Sequence, residues 1–254
     1  MNFKSLLAPV FSLTFAALTF AGVAEKNTAV IQPDEIRDPL GIAVTAGYDS
    51  HYVYRGVLFA ENLLTANVDG NFALNNFISL NVGAWYGMSA NDSFTQGGAY
   101  QELDVYAALF ANLGAFTAGL KYQHYFFLEN AGDFLEDIDE IGVLLSTTLG
   151  PVDVIAGAYY DATAEGFYFD AGLKKSIALT DRISLEPIAV ISYGLDYYGV
   201  NGFNHIKLGL SLPIKLTENA TLKPYIEGNI PIDALKALGE EDRVYGGISL
   251  TVSF

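Results

Sequence analysis

Three histidines and no cysteine limit the nucleophilic chemistry open to this chain of 254 residues. Thiol catalysis and thiolate metal sites both require cysteine. A serine nucleophile needs a base within hydrogen-bond reach, but Ser50 points away from His51 on an alternating segment, and Ser211 lies too far along its strand from His205. His124 falls on the apolar side of its segment, among aromatic residues. The sequence therefore predicts neither an enzyme nor a cofactor site.

Charged side chains at alternating positions form a second group of chemistry-bearing residues. They share the face opposite the apolar residues of their segments, because successive side chains of a strand point to opposite faces. The candidates are Asp49, His51, Arg55, Asp69, Glu102, Asp104, Lys121, Glu140, Lys174, Lys207, Lys223 and Glu227. With Asp153, Asp170 and Glu186, the acids outnumber the bases. Two readings stay open: a charged constriction that selects solutes by sign, or a network of neutralising pairs that stiffens the wall.

The length of the first connection predicts which residues meet near Arg55. A loop over residues 56–60 would place Arg55 opposite Glu61 and His51 opposite Thr65. Arg55 itself is either a constriction residue or an anchor for the first loop, and we favour the anchor.

A two-residue turn at Leu113-Gly114 would similarly place Tyr106 opposite Lys121. Asp104 would then lie diagonal to Lys121, within reach of its long side chain. Trp85, the single tryptophan, has the same parity as these residues. It could stack on a sugar or a nucleobase, but an anchor under a loop is the commoner use.

Two acidic segments could present oxygen ligands to a metal ion. Their members are Glu129, Asp133, Glu136, Asp137, Asp139 and Glu140 in one, and Asp233, Glu240, Glu241 and Asp242 in the other. Such clusters can hold Ca²⁺ or Mg²⁺, but the spacing fits no EF-hand loop, and acidic surface loops are usually solvated. We predict no specific metal site and keep binding of divalent ions as an alternative.

The composition indicates the class of protein that positions these residues. Hydrophobic residues make up 51% of the chain and charged residues 17%, below the roughly 25% of a soluble domain. This apolar and aromatic content excludes a disordered chain. With 29 acidic and 13 basic residues the formal net charge is −16, which argues against a nucleic-acid partner because such a groove needs clustered lysine and arginine.

The N-terminus has the three parts of a secretory signal peptide. A short basic start at Asn2-Phe3-Lys4 precedes an apolar stretch over residues 6–21, and Gly22-Val23-Ala24 supplies small residues before a cleavage point. An uncleaved membrane anchor is the alternative. We predict a signal peptide over 1–24, a flexible periplasmic lead-in over 25–40 that could plug a lumen, and a barrel over 41–254.

Apolar and polar residues alternate along the rest of the chain, which predicts β-strands with one apolar and one polar face. The last segment, residues 248–254, has apolar residues at every even position. The apolar stretch 105–120 is interrupted by Asn112-Leu113-Gly114 and is interpreted as two strands and a turn, not a membrane helix. The predicted strands cover 41–55, 61–75, 77–89, 101–112, 115–127, 138–149, 152–162, 166–178, 183–195, 203–214, 221–230 and 243–254.

The connections favour a transmembrane antiparallel up-and-down β-barrel of about twelve strands. Short turns alternate with mostly longer loops rich in glycine, asparagine and acids, as in outer-membrane barrels with both termini in the periplasm. Closure also leaves no unpaired edge. A secreted β-sandwich is the competing fold, but its core could not hold so many charges.

Aromatic residues near the strand ends support two membrane interfaces. Those near the longer loops are Tyr52, Tyr54, Tyr86, Tyr122, Phe126, Tyr160, Phe167 and Tyr193; those near the short turns are Phe72, Phe77, Phe116 and Phe254. The chain also ends on an aromatic residue, as outer-membrane barrels commonly do.

Three motifs resemble those of a known family. Residues 50–57 read Ser-His-Tyr-Val-Tyr-Arg-Gly-Val, residues 83–87 read Gly-Ala-Trp-Tyr-Gly, and residues 102–106 read Glu-Leu-Asp-Val-Tyr. They are similar to the Ser-x-Tyr-x-aromatic-Arg-Gly, Gly-x-Trp and Glu-apolar-Asp-apolar-Tyr patterns of the TorF-like porins over residues 42–127. The chain departs from that family at Leu58-Phe59-Ala60, where Ser-Gln is usual. The resemblance implies a channel-like outer-membrane protein of a family without a firmly assigned substrate.

These observations predict an exported protein of the outer membrane of a Gram-negative bacterium, in contact with lipid and lipopolysaccharide. The expected function is passive passage of small hydrophilic solutes, with a modest cation preference because the inward charges are mainly acidic. The main alternative is a non-conducting structural or adhesive barrel that binds a partner or divalent ions through its acidic loops. A lipid- or glycan-acting enzyme is a third alternative, with His51 and His205 as its candidate bases.

Overall fold

A computed structural model describes residues 40–254, which fold almost entirely into β-strands. The strands are β1 (Ile42–Tyr54), β2 (Val57–Ala73), β3 (Ile78–Ser89), β4 (Gln101–Asn112), β5 (Thr117–Leu128), β6 (Ile138–Leu149), β7 (Val152–Asp161), β8 (Gly166–Lys174), β9 (Ile177–Ala178), β10 (Ser184–Tyr197), β11 (Val200–Ser211), β12 (Ile214–Lys215), β13 (Ala220–Pro231) and β14 (Arg243–Ser253). Two short helices, α1 (Glu129–Gly132) and α2 (Asp233–Ala237), lie in connections. Neither is long and apolar enough to cross a bilayer. The predicted signal peptide and residues 25–39 of the lead-in lie outside the described residues.

The strands close into one antiparallel barrel. Each long strand pairs with its neighbours in chain order, and β1 pairs with β14 along its length, from Ala43 opposite Ser253 to Asp49 opposite Gly247. β9 and β12, of two residues each, only lengthen two hairpins, so twelve of the fourteen strands form the wall. The predicted twelve-stranded barrel is confirmed, and the sandwich is wrong because no edge separates two sheets.

The two ends of the barrel differ. One end, here called the loop end, carries the segments 90–100, 129–137 and 232–242, and the other, the turn end, carries 74–77, 113–116 and 150–151. The prediction of longer loops is wrong at two places on the loop end. β1 and β2 are joined by Arg55-Gly56 alone, and β10 and β11 by Tyr198-Gly199 alone.

The outer face is apolar along the strands. Val68, Leu109, Leu120 and Val143 are each between 47% and 56% exposed although they are mid-strand aliphatic residues. An apolar belt of this kind faces hydrocarbon. Aromatic residues flank it as predicted, with Tyr122 and Phe167 exposed near the loop end; Phe72, Phe77, Phe116 and Phe254 are exposed near the turn end. Tyr52 and Tyr54 are exceptions, because both are buried inside the barrel.

The inner face changes along the barrel axis. Towards the turn end, inward side chains such as Thr45, Thr65 and Asn71 retain partial exposure, although Ser79, Asn81 and Thr117 are buried. Towards the loop end, inward side chains such as Glu102, Tyr125 and Asn229 are almost completely buried. The turn end therefore keeps several partly exposed polar side chains, whereas most inward side chains of the loop end are packed around the residues that enter the barrel there.

Candidate functional site

A two-residue turn joins β1 to β2 and folds into the barrel. Arg55 and Gly56 both have positive φ, 48° and 90°, as type I′ hairpin turns require. An irregularity in the β1–β2 pairing between Tyr52 and Val53 accompanies the inward bend. We call residues 52–58 the hairpin tip.

The tight turn changes the register predicted for β1 and β2. His51 lies opposite Glu61, not Thr65, which instead faces Gly47. The His51 Nε2 atom is 3.8 Å from a Glu61 carboxylate oxygen on a partly exposed surface. The predicted placement of Arg55 opposite Glu61 is wrong because Arg55 lies in the turn itself. The apolar residues Leu58-Phe59-Ala60, expected in a loop, belong to β2.

Arg55 extends from the hairpin tip to the opposite wall of the barrel. Its guanidinium donates to both carboxylate oxygens of Glu140 on β6, at 2.5 and 2.9 Å, and to the Tyr197 hydroxyl on β10 at 2.7 Å. The Arg55 and Glu140 side chains are only 4% and 3% exposed. Two parallel hydrogen bonds of this kind combine charge with a fixed geometry.

Aromatic rings surround the buried guanidinium. Its central carbon lies 4.4 Å from the ring centre of Tyr168, 4.5 Å from that of Tyr159, and about 5 Å from those of Tyr54 and Tyr197. Such distances allow cation–π attraction, which is strongest when water is excluded. β7 and β8, which carry Tyr159 and Tyr168, stand half-way round the barrel from β1 and β2. The hairpin tip therefore spans the lumen.

Gly56 allows the hairpin tip to seat closely against the remaining wall. A Cβ atom at this position would lie 2.6 Å from His205 Nδ1 and would also collide with Leu235 of α2. Asn229 on β13 donates its side-chain amide to the Gly56 carbonyl at 3.1 Å, and Tyr198 donates to the Tyr54 carbonyl at 3.3 Å. Any residue other than glycine here would hold the tip away from the wall.

Glu102 accepts a hydrogen bond from Tyr52, the first tyrosine of the motif at residues 50–57. The Tyr52 hydroxyl and the Tyr100 hydroxyl each donate to the Glu102 carboxylate at 2.7 Å. Burial and the adjacent Glu102 charge raise the pKa of Tyr100, which precedes β4, well above its usual range. Tyr52 also stacks on Trp85 with ring centres 5.8 Å apart. The three sequence motifs therefore meet at one place inside the barrel, and Trp85 supports the hairpin tip.

The predicted candidates on β4 and β5 face inwards, but their register differs. β4 and β5 are joined by residues 113–116, so Tyr106 lies opposite Gln123 and Lys121 lies opposite Ala108. Gln123 donates to Asp104 at 2.6 Å. The predicted pairing of Tyr106 with Lys121 is therefore wrong by two residues, although the Lys121 ammonium lies 5.2 Å from the Tyr106 ring centre.

Acids elsewhere on the inner wall accept hydrogen bonds from tyrosines. Tyr106 donates to Asp69, and Tyr225 donates to Asp49 at 2.5 Å. Tyr245 donates to Glu227 at 3.4 Å. Phenol donors stabilise these carboxylates without adding a positive charge.

The lysine candidates also face inwards. Lys223 is 3.2 Å from a carboxylate oxygen of Glu186, an ion pair that spacing alone does not predict. Lys207 is 4% exposed. Lys174 lies opposite Asp153 on the neighbouring strand. Arg55 and Lys223 are thus each paired with an acid, whereas other inward acids accept hydrogen bonds from tyrosines.

Two serine–histidine contacts were missed from the sequence. Ser50, predicted to point away from His51, has its Oγ 3.2 Å from His51 Nδ1. The second contact joins β10 to β11. Ser192 Oγ lies 2.8 Å from His205 Nδ1, at a register position on β10 that only the barrel pairing reveals. Ser192 also accepts from the His205 backbone N–H at 3.3 Å. The pair is buried directly beneath Gly56, so its observed contacts join β10, β11 and the hairpin tip.

His124 lies outside this site, whereas the acidic segments contribute Glu140 to it and Glu240, which accepts from the Leu58 backbone N–H at 3.5 Å. On the rim, His124 Nδ1 is 2.8 Å from Asp139, which also accepts from Tyr122 at 2.6 Å. Within residues 40–254, no three histidine, aspartate or glutamate side chains come together in a group that could hold a metal ion.

Comparison with known proteins gives likeness at the level of fold. No family model and no curated protein matches the chain. A solved KdgM porin is 10% identical, with 84% of this chain and 98% of that chain covered and a TM-score of 0.49. The translocator domain of the autotransporter NalP from Neisseria meningitidis is 12% identical (86% and 90% covered, TM-score 0.49). LpxR from Salmonella typhimurium is 8% identical (84% and 99%, TM-score 0.49). At this level of similarity we take no function from them, and the TorF-like resemblance stays a prediction.

Proposed function

We propose that this barrel is an outer-membrane channel for small hydrophilic solutes, closed in the described conformation by its own β1–β2 hairpin. The observation that carries the proposal is the change in the inner face along the axis. Several inward polar side chains are partly exposed towards the turn end, whereas those around the hairpin tip, where it crosses the lumen, are almost completely buried. Passage then requires the tip to leave its seat.

The accessible inward charges support a preference for cations. Five of the partly exposed inward residues are acids, and one is a base. The acids are Asp49, Asp69, Asp153, Asp170 and Glu186, and the base is Lys174. The basic residues Lys121, Lys207 and Lys223 are nearly fully buried. Because a charged lumen favours ions of opposite sign, cations would concentrate near these acids.

Single-channel recording in planar bilayers tests this function. We expect the wild-type protein to remain closed for most of the recording and the double variant Arg55→Ala/Glu140→Ala to open often, with a reversal potential in a salt gradient that indicates cations. Removing both partners avoids leaving one buried charge unpaired. Arg182→Ala, at an exposed turn-end position, is the control and should behave as wild type.

The dense packing around the hairpin tip also favours a second candidate, a non-conducting barrel that presents its loops to a partner. The same recordings separate the two. Absence of conductance steps in both the wild type and a correctly folded double variant would support the non-conducting barrel, and anion selectivity would contradict the proposed channel.

A further inference from the structure

A cavity of about 390 Å³ lies between the hairpin tip and the connections of the loop end. Tyr52, Tyr54 and Phe59 of β1 and β2 form one wall, and Tyr100 and Tyr125 continue it. The rim residues, Phe134, Glu136 and Asp196, are exposed. The volume is that of a small-molecule site, and its mouth faces the loops, not the turn end.

The charged residues that line this cavity are all acids, and the Arg55 guanidinium behind Tyr54 and Tyr197 is paired with Glu140. The carboxylates that line the cavity are Glu102, Glu136, Asp161 and Asp196, and its described lining contains no lysine, arginine or histidine. Most of the remaining lining is aromatic, including Phe127, Tyr197 and Tyr198. Aromatic faces and carboxylates both attract positive charge, and the aromatic faces also accept apolar groups.

We propose that this cavity binds a small organic cation, an ammonium group carrying alkyl substituents, through aromatic faces and the surrounding carboxylates. The hydrogen-bonding pattern favours such a cation over a carbohydrate. The hydroxyls of Tyr52 and Tyr100 already donate to Glu102, and Asp161 already accepts from the backbone N–H groups of Thr163 and Ala164. A quaternary ammonium needs no hydrogen-bond donor or acceptor, only negative potential and polarisable surface.

Binding at the cavity does not require the channel to open, and the site is complete in the closed conformation because Tyr52 and Tyr54 of the hairpin tip line it. It goes beyond the channel function and can be correct even if the barrel never opens. A binding measurement on the closed protein therefore tests the two proposals separately.

Isothermal titration of the full chain, refolded in a polyoxyethylene detergent without sugar or charge, provides the test. The probes are choline, its neutral isostere 3,3-dimethyl-1-butanol, and glucose. We expect saturable binding of choline, at least about tenfold weaker binding of the isostere because the charge is lost, and no binding of glucose. Trp85, stacked on Tyr52, gives a second readout through its fluorescence.

Matched variants locate the site. Glu136→Gln and Phe134→Leu should each weaken choline binding about threefold, since one rim charge or one exposed ring is removed. Asp133→Asn, in the same connection but outside the cavity lining, and Phe77→Leu, exposed at the turn end, should leave it unchanged. Equal binding of choline and the neutral isostere, preferred binding of glucose, or no binding of choline would overturn the proposal.

Discussion

The guanidinium of Arg55 and the carboxylate of Glu140 join two opposite walls of the barrel through a pair of hydrogen bonds. Arg55 stands in a turn with φ of 48°, a left-handed conformation that costs a residue with a side chain roughly 1–2 kcal/mol. The ion pair of Arg55 with Glu140, surrounded by tyrosine rings, offsets this conformational cost. The position of the hairpin tip across the lumen therefore depends on the conformation of a single turn residue, Arg55.

Removing one partner of this pair should destabilise the barrel more than removing both. Arg55→Met or Glu140→Gln leaves the remaining charged group buried without its main partner, which typically costs about 3–5 kcal/mol. The double variant Arg55→Met/Glu140→Met should recover part of that loss. Urea-induced unfolding in lipid vesicles measures the difference. Arg243→Gln, which alters a partly exposed pair with Glu240, should change stability by about 0.5 kcal/mol. Additive losses in the Arg55 and Glu140 variants would contradict a direct coupling.

Gly56→Ala should unseat the hairpin tip. The added methyl group would collide with His205 and Leu235 in a residue with φ of 90°, so strain and overpacking together should cost more than about 2 kcal/mol. The comparison is Gly97→Ala, where φ is 103° and nothing lies within 4 Å of the new atom. Gly97→Ala therefore measures the cost of a positive φ in alanine without any collision of the new methyl group. Thermal unfolding should rank the two, and similar shifts would show that the contact with His205 does not matter.

The accessible acids should determine ion selectivity if the channel opens. In the Arg55→Ala/Glu140→Ala background, Asp153→Asn together with Asp170→Asn should move the reversal potential in a salt gradient towards that of a non-selective pore. Both residues are inward and partly exposed near the turn end. Glu165→Gln, an exposed change in the β7–β8 connection, should leave the potential where it was. An unchanged potential in the lumen variant would remove these two acids from the selectivity mechanism.

A charge on the apolar belt should impair insertion. Leu120 is 56% exposed on the outer face of β5, and arginine near the membrane midplane of a barrel costs about 2–4 kcal/mol. Leu120→Arg should lower the folded fraction after refolding into lipid vesicles, measured by heat-dependent gel mobility. Leu238→Arg, exposed in the β13–β14 connection, is the matched control. Equal folding of both variants would mean that the outer face of β5 does not meet lipid.

The positions of the strands could be predicted from the local alternation of apolar and polar residues, whereas the contacts of the site could not. Alternation predicts which face of β4 carries Glu102 and Asp104, because even and odd positions of a strand point to opposite faces and the apolar residues occupy the outer one. Register depends on the length of each turn: residues 113–116, not 113–114, join β4 to β5, and the partners shift by two. One misjudged turn is enough to change every pair on a hairpin.

The hairpin tip was missed for a different reason. Tyr52 and Tyr54 lie near a strand end and have the composition of a membrane girdle, but their hydroxyls bond Glu102 and Tyr125 inside the barrel. Such contacts depend on a bend in the pairing of β1 with β2, which alternation does not encode. The Ser-x-Tyr-x-aromatic-Arg-Gly motif was the available signal, because its aromatic, arginine and glycine residues all make contacts across the lumen.

The contacts of Arg55 also constrain the order in which the molecule assembles. Its partners Glu140 and Tyr197 follow it by 85 and 142 residues, so the first hairpin in the chain is held in place by strands distant in sequence. Contacts between such distant segments form only after the intervening chain is in place. We therefore expect the wall to close around a hydrated interior, and water to leave the loop end only when the hairpin tip seats in the last stage of folding.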